Sequence, residues 1–326
     1  MAKNPHYLSQ MAHIELLSTD INETTRFYTD IVGMDLTGRD ENSVYLRAWG
    51  DYFHHTLKIT QSDRKGMGQI GWRADSAEAL EECVQYLESI GAGIGWVDAD
   101  LGRGKAYRFY SPDGHTHEVF WDVVWLRETG EKKSIYADRY ASNRRLGANP
   151  RRFDHVTYLV SKFQYAKEKA FWQGMGLKNP DEIRINDQIP PIGGLWTIGN
   201  LSHDIAVFTD PNLEPGQGHL NHICYNLDSR EEVLLALDWF TEKGYTSVWG
   251  APTRHKADEG FFFYIMEPYT GILLEIYACA RLIFAPDHGP DVHYLKDNPN
   301  DAWGLTNPFA EMDKGKIGGL SKPVDI

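Results

Sequence analysis

Residues 12–36, AHIELLSTDINETTRFYTDIVGMDL, and residues 154–177, DHVTYLVSKFQYAKEKAFWQGMGL, are two versions of one pattern. Each opens near a histidine (His13, His155) followed by an apolar alternation, the period of a half-buried strand. Each then passes into a helical stretch carrying adjacent aromatics, Phe27 and Tyr28 in the first, Phe171 and Trp172 in the second. Both stop at a Gly-Met or Met-Gly step suited to a helix C-cap. Self-similarity of this kind decides the architecture before any single motif is interpreted.

Outward from this pair the echoes continue. YFHHTLKI (52–59) matches LSHDIAVF (201–208), and GQIGWRAD (68–75) matches HLNHICYNLD (219–228), each of the latter preceding an acidic helix that ends at Gly91 or Gly244. KAYRFYSPDGHTHEVFW (105–121) matches FFFYIMEPYTGILLEIY (261–277), and both read as a strand, a Pro-centred turn and a strand with a glutamate near its end. Each half is therefore two β-α-β-β(-β) units. The expected fold class is α+β, with tandem βαβββ modules in two barrel-like domains, residues 1–145 and residues 146–281. The basic stretch Tyr140–Arg152 is the natural linker. From about Leu282 the repeat stops, and the Pro/Asp/Gly-rich tail, residues 282–326, is expected to pack on the second domain through Trp303 and Phe309.

Composition narrows the function. The 326 residues are 42% hydrophobic and 13% aromatic, enough for a large core and unlike a disordered chain. With 46 acidic against 33 basic residues the net charge is -13, so there is no basic face of the kind that neutralises nucleic-acid phosphates. No apolar run approaches the ~20 residues of a membrane helix, and MAKNPHYLSQ lacks a signal-peptide pattern. Cys83, Cys224 and Cys279 are too few and too scattered for a disulfide scaffold or a cysteine zinc site. A soluble, cytoplasmic protein acting without nucleic acid or membrane is the expectation.

The halves differ where chemistry would be done. The second half has His155 in its first strand, His222 in its middle strand and Glu275 in its last; the first half has His13, Gly71 where His222 should stand, and Glu118. A lone strand histidine is more often a hydrogen-bonded structural residue than a ligand, and a lone glutamate is usually solvated. Glu275, however, is flanked by ILL and IY, and a carboxylate among buried strand residues is costly unless paired or metal-bound. Two imidazoles and one carboxylate form a facial triad that leaves one face of an octahedral metal open, with Fe(II) its commonest occupant. The second half is expected to hold the metal and the first to be a silent scaffold.

Five segments, RFDH (152–155), SHDIAVF (202–208), GHLNHICYNL (218–227), PTRH (252–255) and YIMEPYTGILLEIY (264–277), give the chain its resemblance to the type I extradiol ring-cleaving dioxygenases of the vicinal oxygen chelate superfamily, near the catechol 2,3-dioxygenases. They span the second half in family order, and the first half shares the repeat pattern. The resemblance implies a vicinal oxygen chelate, glyoxalase-like fold and His155, His222 and Glu275 as metal ligands for Fe(II), with Mn(II) the alternative. It implies His203 as acid–base catalyst, Tyr264 as hydrogen-bond donor to the deprotonated substrate oxygen, and His255 as the group that fixes that oxygen or Tyr264. Of the two histidines in GHLNH the ligand is the second, since His219, three residues earlier in a regular strand, would face the other side. The turn EPYTG is a residue longer than the DPDG-type turn of relatives.

The implied reaction is extradiol (meta) cleavage of a catechol by O₂ to a 2-hydroxymuconic semialdehyde, in a homo-oligomer that the family makes a tetramer. Relatives that take carboxylated rings carry an Arg pair before a Trp-Gly in the tail, suited to bidentate carboxylate binding. Here that stretch is DNPNDAWG (297–304), without Arg, which favours catechol or an alkylcatechol over a homoprotocatechuate-type substrate and leaves a 2,3-dihydroxybiphenyl-type substrate open. Ile192, Trp196, Trp249 and Phe309 are candidates for the pocket wall. Two other functions fit the same fold: a non-oxidative glyoxalase-like metal lyase, which has no use for His203, His255 and Tyr264, and a metal-free module that sequesters an aromatic, which would lack the ligands.

Overall fold

The computed structural model of the chain describes residues 5–126, 133, 135–136, 146–248, 251–285 and 287–304. Four modules follow one another. The first is β1 (Leu8–Ser18), α1 (Ile21–Arg26, continued by a π-helical stretch over Phe27–Val32), β2 (Asp35–Arg39), β3 (Ser43–Arg47) and β4 (Leu57–Gln61). The second is β5 (Gly66–Ala74), α2 (Ala77–Ser89), β6 (Gly93–Val97), β7 (Ala106–Tyr110) and β8 (Thr116–Phe120). The third is β9 (Arg152–Ser161), α3 (Tyr165–Gly174), β10 (Lys178–Arg184), β11 (Gly193–Thr197) and β12 (Ile205–Asp210). The fourth is β13 (His219–Asn226), α4 (Arg230–Glu242), β14 (Thr253–Arg254), β15 (Phe261–Met266) and β16 (Leu273–Ala278), after which β17 (Asp291–Tyr294) adds to the sheet edge beside β10.

Local chemistry sets these boundaries. Asp20, Ser76 and Ser229 accept hydrogen bonds from the backbone N–H groups of Glu23, Ala79 and Glu232, satisfying donors that the first turns of α1, α2 and α4 leave open. Gly33, with φ of 89°, and Gly176, with φ of 92°, carry the left-handed turns that end the first helical stretch and the α3 segment.

The strands form an eight-stranded sheet in the order β2-β3-β4-β1-β5-β8-β7-β6 and a nine-stranded sheet in the order β14-β15-β16-β13-β9-β12-β11-β10-β17. In each half two modules meet antiparallel at their first strands, β1 on β5 and β9 on β13. The outermost strands do not pair with each other, so each barrel-like sheet stays open. This is the α+β arrangement of tandem modules that the repeat foretold.

One apolar core runs through both halves. The Trp72 ring of β5 lies 5.5 Å from that of Trp172 in α3, and Phe109 of β7 meets Phe171 at 6.1 Å. Burying side chains of this size is worth roughly 2–3 kcal/mol each. A polar seam crosses the same interface. Glu168 of α3, fully buried, accepts hydrogen bonds from Ser111 Oγ and Asp113 N at 2.8 Å and from Trp172 Nε1 at 3.1 Å. Asp113 in turn accepts from the backbone N–H groups of Ser161 and Gly216.

Replacing Glu168 by Ala strands several buried donors. The expected loss is about 3 kcal/mol of unfolding free energy, read from denaturant midpoints. Burial pushes the Glu168 carboxyl up to about 7, only partly offset by its hydrogen bonds from Asp113 N and Ser111. Between the ordinary value of 4.5 and 7 the folded chain therefore keeps a proton that the unfolded chain has lost. This contribution is complete below the lower value and lost as pH rises through the upper one. Wild type should accordingly lose stability relative to Glu168→Gln across that window, and parallel pH profiles would contradict the assignment.

Candidate metal centre and active site

Two irregularities in the β9–β13 pairing build the centre. Between the pairs Phe153–Tyr225 and Val156–Ile223, β9 carries one residue more than β13, so Asp154 and His155 together face Cys224. Between the pairs Thr157–His222 and Tyr158–Leu220, β13 carries the extra residue, Asn221. These are β-bulges, which re-aim side chains and are common beside active sites. They bring each histidine and its preceding polar neighbour into one cluster. Asp154 Oδ1 lies 2.9 Å from His155 Nδ1, and Asn221 Oδ1 lies 2.7 Å from His222 Nδ1. Both imidazoles thus turn Nε2 toward the same point.

Glu275 of β16 supplies the third group. Its Oε2 is 2.9 Å from His155 Nε2 and 3.2 Å from His222 Nε2, and the two Nε2 atoms are 3.4 Å apart. All three residues are buried, and neither Glu275 oxygen receives a well-directed hydrogen bond. Lone pairs that converge on one buried point need positive charge there, a proton or a metal ion. Two imidazoles and a carboxylate with ligand atoms within 4.8 Å of one another fit a divalent metal of the facial-triad type. Asp154, His155 and Cys224 make a second such cluster on the far side of His155; the 2.5 Å ion pair of Asp154 with Arg152 already supplies a cation there.

The other three candidate residues border the same point. The His203 ring lies 3.9 Å from that of His155, centre to centre, and its Nδ1 is 3.0 Å from Ser202 Oγ. His255 Nε2 is 3.5 Å from Glu275 Oε1, and its ring stacks on Phe262 at 3.7 Å. Tyr264 pairs directly with Glu275 across β15 and β16, its ring 5.1 Å from that of His222. Burial and the neighbouring His155 hold His203 well below the usual histidine range, so its imidazole is neutral. Burial and the Glu275 charge push the Tyr264 phenol well above its ordinary value, so it keeps its proton.

All six open into one cavity of about 450 Å³. Its walls include Ile183, Ile192, Leu195, Ala206 and Phe208, and Asn298, Pro299 and Asn300 of the tail close one side. Among the described residues no Lys or Arg lines it. Trp196, expected in this wall, is fully buried in the core instead, because Leu195 beside it takes the cavity face of β11. Trp249 and Phe309 lie outside the described residues. His219 corrects a second expectation: the Asn221 bulge reverses the alternation, so His219 faces the cavity with His222. Asp154, Asn221, Thr157 and Asp258 also belong to the site, and sequence reasoning passed over them. The RFDH and LNH strings contained the first two, yet only the bulges give them a role.

The first half repeats the geometry without the ligands. Ile70, Gly71 and Trp72 pair with β8 as Ile223, Cys224 and Tyr225 pair with β16, which puts Glu118 in the place of Glu275. Gly71 therefore matches Cys224, and the residue in the place of His222 is Gln69, not Gly71. A Cβ on Gly71 would come within 2.3 Å of the His13 ring. Arg103 donates to both oxygens of Glu118, at 2.6 and 3.0 Å, so a guanidinium serves this carboxylate. Glu15 and Lys58, an ion pair at 3.6 Å, stand where Thr157 and Ala206 border the second-half cavity.

A profile of the Glyoxalase/Bleomycin resistance protein/Dioxygenase superfamily matches residues 10–119. The chain is 36% identical over 305 residues to a metapyrocatechase of Geobacillus stearothermophilus, covering 91% of this chain and 89% of that protein. It is 33% identical over 294 residues to a manganese-dependent 2,3-dihydroxybiphenyl 1,2-dioxygenase of Geobacillus genomosp. 3, covering 87% of this chain and 89% of that one. The fold matches the 2,3-dioxygenase LapB of Pseudomonas sp. KL28, with a TM-score of 0.80, 24% identity, and coverage of 90% and 99% of the two chains. It also matches a homoprotocatechuate 2,3-dioxygenase of Arthrobacter globiformis, with a TM-score of 0.80, 19% identity, and coverage of 95% and 92%. The chain belongs to the extradiol ring-cleaving dioxygenases of the vicinal oxygen chelate superfamily.

Burial alone would lower the His155 pKa, but Asp154 and Glu275 outweigh it and raise it to about 10. The metal-free imidazole is therefore protonated at neutral pH, and a metal must displace that proton. Metal uptake at pH 7 should release a proton and weaken as pH falls, as calorimetry in buffers of different ionisation enthalpy would register. Ala at His155, His222 or Glu275 should abolish stoichiometric metal uptake. Gln69→His should still bind one metal per chain by elemental analysis, because Arg103 retains Glu118.

Proposed function

We propose that the chain cleaves the ring of an uncharged catechol, catechol itself or an alkylcatechol, by the extradiol route with O₂, giving a 2-hydroxymuconic semialdehyde. The observation that carries this reading is the meeting of His155, His222 and Glu275 with His203, His255 and Tyr264 in a cavity that no Lys or Arg among the described residues lines. Fe(II) is the proposed metal, held by His155, His222 and Glu275, with Mn(II) the alternative that the 33%-identical relative favours. Such an ion would lower the pKa of a catechol hydroxyl and bring substrate and O₂ to one centre.

The remaining steps belong to the side chains. Tyr264, a neutral phenol, donates a hydrogen bond to the substrate oxygen that has lost its proton. His203, a neutral imidazole, takes the second hydroxyl proton and later returns it as the O–O bond breaks. His255, fixed by its stacking on Phe262, orients the substrate oxygen or Tyr264. Leu195, Ala206 and Phe208 exclude water from the ring face. Both oxygen atoms of O₂ end in the product.

A bicyclic dihydroxybiphenyl is the second reading. The cavity is three times the ~150 Å³ that holds a benzene, and Leu159 and Leu213 add to its apolar lining. The reading also takes the chain to be a homo-oligomer. Tyr52, Val124 and Trp125, at 58%, 50% and 53% exposure, offer an apolar face to a second copy.

The test is anaerobic reconstitution with one Fe(II) or Mn(II) per chain, then oxygenation with catechol, alkylcatechols, dihydroxybiphenyl and homoprotocatechuate. A yellow product with one O₂ consumed per ring is expected, slowest with the carboxylated ring. Bound metal without ring cleavage would sink the proposal. His203→Phe should bind metal and catechol yet turn over roughly 10²–10⁴-fold more slowly, and a near-normal rate would remove its role.

A further inference from the structure

Asp258 lies in the turn between β14 and β15 and borders the cavity, 4% exposed. Its Oδ2 is 3.8 Å from His203 Nδ1, the nitrogen that also meets Ser202 Oγ at 3.0 Å. A serine hydroxyl can donate or accept, so Ser202 by itself does not decide which nitrogen of His203 carries the proton. A carboxylate 3.8 Å away on the same side is too far to accept a direct hydrogen bond, but its negative charge favours an N–H on Nδ1 over a lone pair there. Asp258 follows His255 by three residues in the same turn, and both border the cavity.

The carboxylate is held in place by the backbone around it. Its Oδ1 accepts from Gly260 N at 2.8 Å, and its own carbonyl accepts from Arg281 N at 2.8 Å. His255 N donates to Gly260 O at 2.9 Å across the turn, and Glu259 takes the left-handed conformation, with φ of 67°. At Gly260 a Cβ would come within 1.9 Å of the Tyr277 ring, so the turn admits no larger residue there. Such fixing is what a group needs if it is to orient another without moving.

We propose that Asp258 is a positioning residue for ring cleavage: its carboxylate holds an N–H on Nδ1 of His203, so that Nε2 is the nitrogen that exchanges a proton with the substrate. The proposal rests on the reading of His203 as the acid–base group. It assigns Asp258 the part that a buried aspartate plays toward a catalytic histidine in a hydrolase triad, where the amide replacement leaves the geometry intact but imposes the wrong tautomer.

Asp258→Asn is the decisive variant, since it keeps an acceptor for Gly260 N and can turn an amide N–H toward Nδ1. In the metal-loaded protein kcat should fall on the order of 10²-fold, with KM for catechol, metal content and anaerobic catechol binding unchanged. In ring-¹⁵N-histidine-labelled, metal-free protein the His203 signals, assigned by their loss in His203→Phe, should pass from the Nδ1–H to the Nε2–H pattern. Placed on His203→Phe, the same substitution should add almost nothing, as expected for residues acting through one another. Asp258→Ser, which keeps a short acceptor without the charge, carries the same test if the amide variant does not fold. Unchanged kcat, an unchanged tautomer, or a full multiplicative loss on the His203→Phe background would overturn the proposal. So would a fall in metal or catechol binding parallel to the fall in rate, which would mark Asp258 as structural. A crippled His203→Phe beside a normal Asp258→Asn would overturn this proposal alone, whereas a normal His203→Phe would overturn both.

Discussion

Three lone-pair-bearing groups buried against one another are unstable unless something positive lies between them. The rest of the molecule is arranged around that constraint, and the two halves meet it in different ways. In the second, His155, His222 and Glu275 converge on an opening that a divalent ion fits. In the first, Arg103 delivers a guanidinium to Glu118, while Lys58 answers Glu15 and Asp100. The same backbone thus yields one half that calls for an external cation and one that carries its own.

The contrast also extends to the residues that border the second-half cavity. Across matching strand positions, Thr157, Ala206 and Leu195 border open space, whereas Glu15, Lys58 and Tyr45 fill it with an ion-paired network. Small or apolar side chains leave room for a ring; long charged ones close it and satisfy each other. The first half then contributes packing, through Trp72 against Trp172, and the polar seam at Glu168.

Much of this was legible in the chain. The repeated strand–helix pattern foretold tandem modules because apolar periodicity survives divergence wherever a face must stay buried. His155, His222, Glu275, His203, His255 and Tyr264 could be named because their residue types are chemically specific and sit in recognisable strings. The errors differ in cause. Counting along a regular strand turns His219 away from the cavity, and the extra residue in β13, Asn221, reverses that count. Matching Gly71 to His222 slips by two residues, because the pairing of β5 with β8 puts Gln69 in that place and β5 carries the same bulge as β13. A bulge leaves little trace in a pattern of apolar and polar letters. Trp196 failed for a related reason, since its neighbour Leu195 took the cavity face.

By itself, then, the sequence determined the module order, the duplication and the residues able to bind a metal or move a proton, because local periodicity and side-chain chemistry are properties of the chain. Tertiary structure alone decided which of those residues meet, that Asp154 and Asn221 aim the two imidazoles, that Asp258 faces His203, and that the tail closes the cavity with uncharged residues. The physical reason is that the aim of the imidazoles depends on strand register and its bulges, and the turn and tail contacts on the packing of distant segments, all settled only when those segments pair and exclude water together.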